Sequence, residues 1–203
     1  MAPAPRRREI LTDAGPPPTV TLDAGAPAAS ARYRTAKAKA KAFASTFTWS
    51  ETPTLEQAPN EPGLYGGVGA EAFAIERVEL WLKKGEFALR ATSGGVDACL
   101  GPEIVVRGVF EAKRYSLPLE AGRGYFQVPR GGVESDAVPF VETTSYQAAS
   151  ASEIEITKVV QNQKGEPIKA SGRFVTVTQP RAPFKPMWAA GTFVDAPVTF
   201  FAP

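Results

Sequence analysis

The chain has 203 residues, no histidine, one cysteine and nineteen prolines. Without imidazole there is no His general base, no Ser-His-Asp or Cys-His nucleophile and no His-ligated metal or haem. The single thiol, Cys99, closes no intrachain disulfide and falls short of a Cys-based zinc or iron–sulfur set.

A content of 43% hydrophobic, 10% aromatic and 22% charged residues is that of a folded core, well away from the signature of disorder. Charges or glycine break every apolar run too early for a bilayer span, so the chain reads as soluble. The net charge of +2 divides unevenly. Residues 1–41 hold eight bases (Arg6, Arg7, Arg8, Arg32, Arg34, Lys37, Lys39 and Lys41) against Glu9, Asp13 and Asp23, a local +5. Residues 42–203 hold 15 bases and 18 acids, or −3, which argues against a basic nucleic-acid surface on the folded domain.

Arg6–Arg8 stand where an export signal carries its charges, but no apolar h-region follows; Glu9 to Pro18 has linker composition. The expected location is extracytoplasmic if a processed signal precedes this numbering, and cytoplasmic or particle-bound otherwise. Pro3, Pro5, Pro16, Pro17, Pro18 and Pro27 block helix and ladder hydrogen bonds, so residues 1–35 read as an extended, poorly ordered arm. Lys37-Ala-Lys39-Ala-Lys41 is compatible with a short fraying helix whose three ammonium groups fan around the axis. The expected division is a disordered Pro/Ala-rich basic arm, 1–42, and a single β-sandwich domain, 43–203. The eight arm cations are the candidate site for a polyanion (nucleic acid, acidic polysaccharide or anionic lipid), bound with salt-sensitive affinity. A solubilising tether is the plainer reading of the same residues.

Phe43, Phe47 and Trp49 fall with Ser45 on one side of an alternating pattern, which is a strand signal. A Pro-rich connection, 52–63, leads into Gly66-Gly67-Val68-Gly69, which lacks the Lys-Ser/Thr of a P-loop and reads as a flexible turn. Residues 72–82 fit a strand with one phase slip better than a helix, because Lys83-Lys84-Gly85-Glu86 reads as a hairpin turn into Phe87-Ala-Leu89. Further strands are expected over 103–110, 113–119, 124–128, 138–148, 153–160, 168–178 and 187–201. The segments Glu153-Ile-Glu155-Ile-Thr157 and Phe174-Val-Thr176-Val-Thr178 have the pattern of half-buried antiparallel strands. Nine or ten short strands without a long helix predict an all-β fold, an antiparallel sandwich or partly open barrel.

The last fifty residues contain Ser152-Glu-Ile-Glu-Ile-Thr-Lys158, then Ala170-Ser-Gly172-Arg-Phe174, then Ala190-Gly191-Thr-Phe193. This rhythm resembles the closing hairpins of β-sandwich domains in secreted bacterial lipoproteins. The Pro/Ala/Asp-Ala-Gly arm is similar to the tether that follows their lipidated cysteine. The chain departs from that pattern in lacking both signal peptide and acylated cysteine. The resemblance implies an extracytoplasmic accessory or adhesion-like sandwich with no assigned chemistry.

Catalytic motifs are scarce. There is no G-x-S-x-G and no S-x-x-K. Carboxylate pairs for glycoside chemistry would be Glu153/Glu155, Glu76/Glu79 or Glu134/Asp136, but alternation with Ile makes the first pair look like a solvated face. Trp81 and Trp188 are a candidate sugar-stacking platform or, more simply, core aromatics. The five aspartates are scattered without calcium-loop spacing. Arg123-Gly124-Tyr125-Phe126 and Arg130-Gly131-Gly132 resemble base-stacking Arg-Gly elements but read as hairpin turns. The expectation is a non-enzymatic binding or structural protein of a bacterial surface, envelope or assembly. It needs no cofactor or metal, and its partner is another protein or its own copy. The alternatives are a subunit of a larger particle whose basic arm contacts neighbours or nucleic acid, and a carbohydrate-binding domain.

Overall fold

Strand periodicity and turn chemistry agree best at the hairpin over 77–92. In the computed structural model, which describes residues 26–69, 71–92, 101–118, 123–129, 143–178 and 186–201, this hairpin is strands β3 (Arg77–Lys83) and β4 (Glu86–Thr92). Val78, Leu80 and Leu82, then Phe87, Leu89 and Ala91, turn inward, while the alternate residues stay partly or fully exposed. Lys83 pairs with Glu86, leaving Lys84-Gly85 as a two-residue turn in which Gly85 takes a φ of 78°.

Before this hairpin come helix α1 (Ala26–Ala44), a 3-10 turn (Leu55–Gln57), β1 (Gly63–Val68) and β2 (Glu71–Ala74). After it come β5 (Gly101–Arg107), β6 (Arg114–Leu117), β7 (Arg123–Pro129), β8 (Thr143–Gln161), β9 (Pro167–Thr178) and β10 (Met187–Phe200). From β10 the pairing passes through β3, β4, β5 and β7 to β8, and returns through β9 to β10. These seven strands form a circuit. β1 flanks the first half of β10 with β2 beyond it, and β6 flanks β8. The sandwich-or-barrel expectation therefore holds, with one refinement. Every pair among the described strands is antiparallel except β10–β3, which runs parallel through Val198↔Leu80, Thr199↔Trp81 and Phe200↔Leu82.

Strand β10 reaches that parallel seam through a bulge. Its register against β9 shifts between Phe193 and Ala196, Asp195 takes a left-handed φ of 51°, and the Asp195 N–H donates to Ser171 Oγ at 3.1 Å. Inside the circuit, Phe73, Leu80, Phe87, Leu89, Ile104, Ile154, Ile156, Phe174 and Phe193 form the main core. Ser152 Oγ donates to Thr176 Oγ1 at 2.8 Å on that inner side, so this buried hydroxyl pair is satisfied. A second layer covers the outer face of β8–β10: Leu55, Val175, Val177, Trp188 and Ala190 pack with Phe43, Phe47, Trp49 and Tyr65.

That outer layer accounts for most departures from the sequence expectation. Residues 26–42 of the expected disordered arm belong to α1, a 19-residue helix, while residues 1–25 lie outside the described residues. Ala and Lys favour helix, and Pro27 sits in the first turn, where its missing N–H has no intrahelical partner to lose. Ala36, Ala40 and Ala44 then pack against Ala72, Ala74 and Tyr65, so the boundary expected at 42/43 falls within the helix. The strand expected over 43–49 is absent for the same reason: Phe43 and Phe47 face the same way as i, i+4 positions at a helix end, not as alternating strand residues.

Residues 72–82 are two strands separated at Ile75–Glu76, not one strand with a bulge. The expected segments 138–148 and 153–160 meet in one long strand, Thr143–Gln161; residues 138–142 lie outside the described residues. Phe174 to Thr178 is buried on both faces instead of one, because the outer layer removes its solvent side. Gly66 and Gly67 are buried strand residues and not a flexible turn. Cys99, Glu134, Asp136 and Arg130–Gly132 lie outside the described residues; Arg123–Phe126 falls within β7.

Two outcomes test this architecture. Asp195→Val puts a β-branched side chain at a left-handed φ and is expected to destabilise by about 1–2 kcal/mol in urea unfolding, with Asp195→Gly neutral or stabilising. Removing residues 1–41, which a hanging arm would tolerate, strips most of α1 from β1 and β2. It is expected to lower the thermal midpoint by at least about 5 °C, on the basis of about 2–4 °C per kcal/mol of lost packing.

Candidate functional site

Helix α1 ends in a run of short hydroxyl side chains that close its last turn. Ser45 Oγ donates to the Ala42 carbonyl at 2.7 Å and Thr46 Oγ1 to the Phe43 carbonyl at 2.8 Å. The Phe47 N–H donates to the same Phe43 carbonyl at 3.1 Å, which turns the chain back over the sheet. Phe47 then stacks on Trp188 of β10, ring centroids 4.1 Å apart and 15° from parallel. Phe43 stacks on Tyr65 of β1 at 4.7 Å. Trp49 Nε1 donates to the Thr178 carbonyl at 3.2 Å, so five aromatic rings from α1, its exit segment, β1 and β10 share one surface.

Trp188 can lie flat there because its cross-strand partner is Gly67. A Cβ at Gly67 would meet Trp188 Nε1 at 2.4 Å, and one at Gly66 would meet the Phe73 ring on the opposite face at 2.4 Å. The Gly-Gly pair makes room for one large aromatic on each side of β1.

A carboxylate of β8 anchors the 3-10 turn in the segment after Trp49. Glu153 on β8 accepts from the Leu55 N–H at 3.0 Å, from Ser116 Oγ at 3.3 Å and from Arg114. Thr54 and Gln57 close the 3-10 turn, the Thr54 N–H donating to Gln57 Oε1 at 2.9 Å. The result is two open grooves, one on each side of Phe47. The first, about 320 Å³, is lined by Lys41, Ser45, Phe47, Trp49, Pro186 and Trp188. The second, about 640 Å³, is lined by residues that include Lys39, Phe43, Thr48, Glu56, Pro59 and Tyr65. Each groove offers aromatic and proline faces with one lysine at its border; the second adds Glu56 and Glu61.

Among the expected anion-binding residues, Arg6, Arg7 and Arg8 lie outside the described residues, and Arg32 and Arg34 are placed in α1 by backbone only. Lys39 and Lys41 are exposed and Lys37 is half-buried. Steps of about 100° per residue put Lys37 and Lys41 near each other and Lys39 across the helix, and so Lys39 and Lys41 border different grooves. The helix does not gather the three ammonium groups into one patch.

The two candidate sugar-stacking tryptophans do not meet. Trp188 is buried under Phe43 and Phe47. Trp81 lies in another cluster, with the Arg90 guanidinium 3.8 Å over its ring, Phe201 at 4.6 Å, and its Nε1–H donating to Glu79 Oε2 at 3.3 Å. Glu153 and Glu155, expected on a solvated face, are instead engaged: Glu155 accepts from Arg173 Nε at 2.7 Å, and Glu153 anchors the 3-10 turn. Glu79 is paired with Arg77 at 3.0 Å. Among the described residues no group of three His, Cys, Asp or Glu side chains could hold a metal ion. Sequence reasoning missed the grooves because it read Phe43, Phe47 and Trp49 as a strand; the signal was the Phe43–Phe47 spacing at the end of an Ala/Lys run.

Comparison of the chain with protein-family models, curated proteins and solved structures gives no match.

The dependence of the groove floor on Gly67 is directly measurable. Gly67→Val forces the Trp188 indole off the sheet and is expected to destabilise by about 1–3 kcal/mol, with a red shift of tryptophan emission. Unchanged emission and stability would contradict the packing described.

Proposed function

We propose that the chain is a non-enzymatic β-sandwich protein that binds a protein partner or a second copy of itself, as a component of a bacterial surface, envelope or assembly. The observation that carries this reading is the pair of aromatic- and proline-lined grooves around Phe47. Half-buried aromatic rings beside single charges suit an extended or proline-rich protein segment, whose apolar faces and backbone groups such grooves accept. The carboxylates best spaced for acid–base work also support it, since Glu153, Glu155 and Glu79 all serve structural contacts. The rhythm of the closing hairpins, similar to secreted lipoprotein sandwiches, favours the extracytoplasmic setting.

A particle subunit whose basic arm touches neighbours or nucleic acid is a second reading. The cations of α1 favour it only in part, because Lys39 and Lys41 diverge. The carbohydrate-binding alternative loses its platform, since Trp81 is covered by Arg90 and Phe201.

Ser45→Arg and Thr48→Arg place bulky cations at the two grooves from exposed positions outside the core. Crosslinking of the full chain in its native cells, with sedimentation velocity of the purified chain, is expected to give a partner or a self-associated form. Crosslinks should map to residues 39–62. At least one of the two variants should abolish the complex; Thr48→Arg is expected to leave the thermal midpoint unchanged, and Ser45→Arg, which removes the Ser45–Ala42 hydrogen bond, to lower it only slightly. A complex indifferent to both substitutions would overturn the proposal.

A further inference from the structure

At one end of the strand circuit the β3–β4 turn, the exit of β5, the β8–β9 turn and the last residues of β10 come together. Lys83 pairs with Glu86, Glu86 with Arg107, Phe200 with Leu82, and Pro197 with Lys169, so all four segments reach the same rim. Neighbouring strands about 4.8 Å apart spread this rim over roughly 20 Å.

Four of the five exposed large apolar side chains among the described residues lie on it: Val109 is 66% exposed, Phe200 53%, Ile168 43% and Phe201 39%. The strand period explains two of them. Val198 and Ala170 pack against the main core, and Phe200 and Ile168 are the next positions on the same faces, where the core has ended. A soluble monomer has no internal reason to place two large side chains there.

The charge of the rim differs from that of the body. Residues 83–86, 107–109 and 161–169 hold Lys83, Lys84, Arg107, Lys164 and Lys169 against Glu86 and Glu166, a net +3 in a body of net −3. Lys83 is spent on Glu86 at 3.8 Å, and Glu166 accepts from Asn162 Nδ2 at 2.7 Å. Among the described residues no carboxylate pairs with Lys84, Arg107, Lys164 or Lys169, and all four are exposed. The next pair outward, Lys113 and Glu111, is self-neutralising at 2.9 Å.

We propose that this rim docks on an anionic lipid bilayer, Phe200, Phe201 and Ile168 entering the headgroup layer while Lys84, Arg107, Lys164 and Lys169 meet lipid phosphates and carboxylates. Apolar side chains ringed by unpaired cations complement a surface that is anionic outside and apolar just beneath. An acidic protein surface would match the charges alone; the exposed apolar side chains beside them favour a surface that is apolar beneath its charges. The contact is peripheral: no helix among the described residues is long and apolar enough to cross a membrane. This proposal is independent of the grooves around Phe47, which β10 reaches at its opposite end through Trp188.

The test is co-sedimentation of the full chain with phosphatidylcholine vesicles, with and without phosphatidylserine. Binding is expected only with phosphatidylserine, and it should weaken steeply between about 0.1 M and 1 M salt as the Debye length falls from about 10 to 3 Å. Lys84→Glu combined with Lys164→Glu removes two cations worth about fivefold each, so affinity should fall by at least about 25-fold. Phe200→Ser and, as a second apolar variant, Ile168→Ser should each weaken binding with the thermal midpoint unchanged. Lys39→Glu with Lys41→Glu should leave vesicle binding intact, and so should Thr48→Arg. Absence of binding to phosphatidylserine vesicles overturns the proposal, as does binding lost through the α1 variants and kept by the rim variants. Either result leaves the partner-binding reading to be judged by its own crosslinks.

Discussion

Strand β10 has to serve two sheets, and the rest of the structure depends on how it does so. Its first half pairs with β1 and β9, while its last residues lie parallel to β3 and close the circuit. A regular strand could not leave one partner and reach the other without losing its inward residues. The bulge between Phe193 and Ala196 absorbs the change: Phe193 and Ala196 both stay in the core, and Val194 and Asp195 are turned out to solvent. The cost is one non-glycine residue at φ 51°, offset in part by the Ser171 hydroxyl that accepts its N–H.

Closure by three residue pairs leaves the central strands β8, β9 and β10 with two faces to bury. The inner face packs on Phe87, Leu89 and Ile104; the outer face is covered by α1 and by residues 45–58. Double burial explains why Phe174 to Thr178 carries threonines with satisfied hydroxyls between large apolar residues, and why glycines occur on β1, where Trp188 and Phe73 press from opposite sides. The carboxylate of Glu153 accepts from the Leu55 N–H, Trp49 Nε1 donates to the Thr178 carbonyl and Thr192 Oγ1 to the Pro59 carbonyl, so hydrogen bonds hold the outer layer as well as aromatic stacking.

The outer layer and the rim are two different kinds of surface. Around Phe47 the aromatic rings are partly covered and border grooves, whereas at the rim Val109, Ile168 and Phe200 are exposed near cations and Phe201 packs on Trp81. The first suits a segment of polypeptide laid into a trough, and the second suits a broad anionic surface met end-on.

The sequence by itself determined what period and turn chemistry encode. Alternation located β9 and the second half of β8, the turn signal at Lys83–Glu86 decided for strand over helix before it, and the absence of a long helix set the all-β class. Its errors have a common physical origin. Local pattern reports one amphipathic face, so it cannot reveal that a second layer covers the other; hence Val175 and Val177 looked half-exposed, and Gly66-Gly67 looked like a turn. It also reads Ala36 and Ala40 by their nearest neighbours, among lysines that suggest an arm, and Phe43 and Phe47 as the start of a strand. Helix α1 is favoured by local propensity but is anchored by Ala72, Ala74 and Tyr65, residues distant along the chain. The meeting of Phe43, Tyr65 and Trp188 in one surface, and of Val109, Ile168 and Phe200 at one rim, was decided only by tertiary structure. Both depend on which strands pair and in what register, and that is set by the packing of the whole circuit.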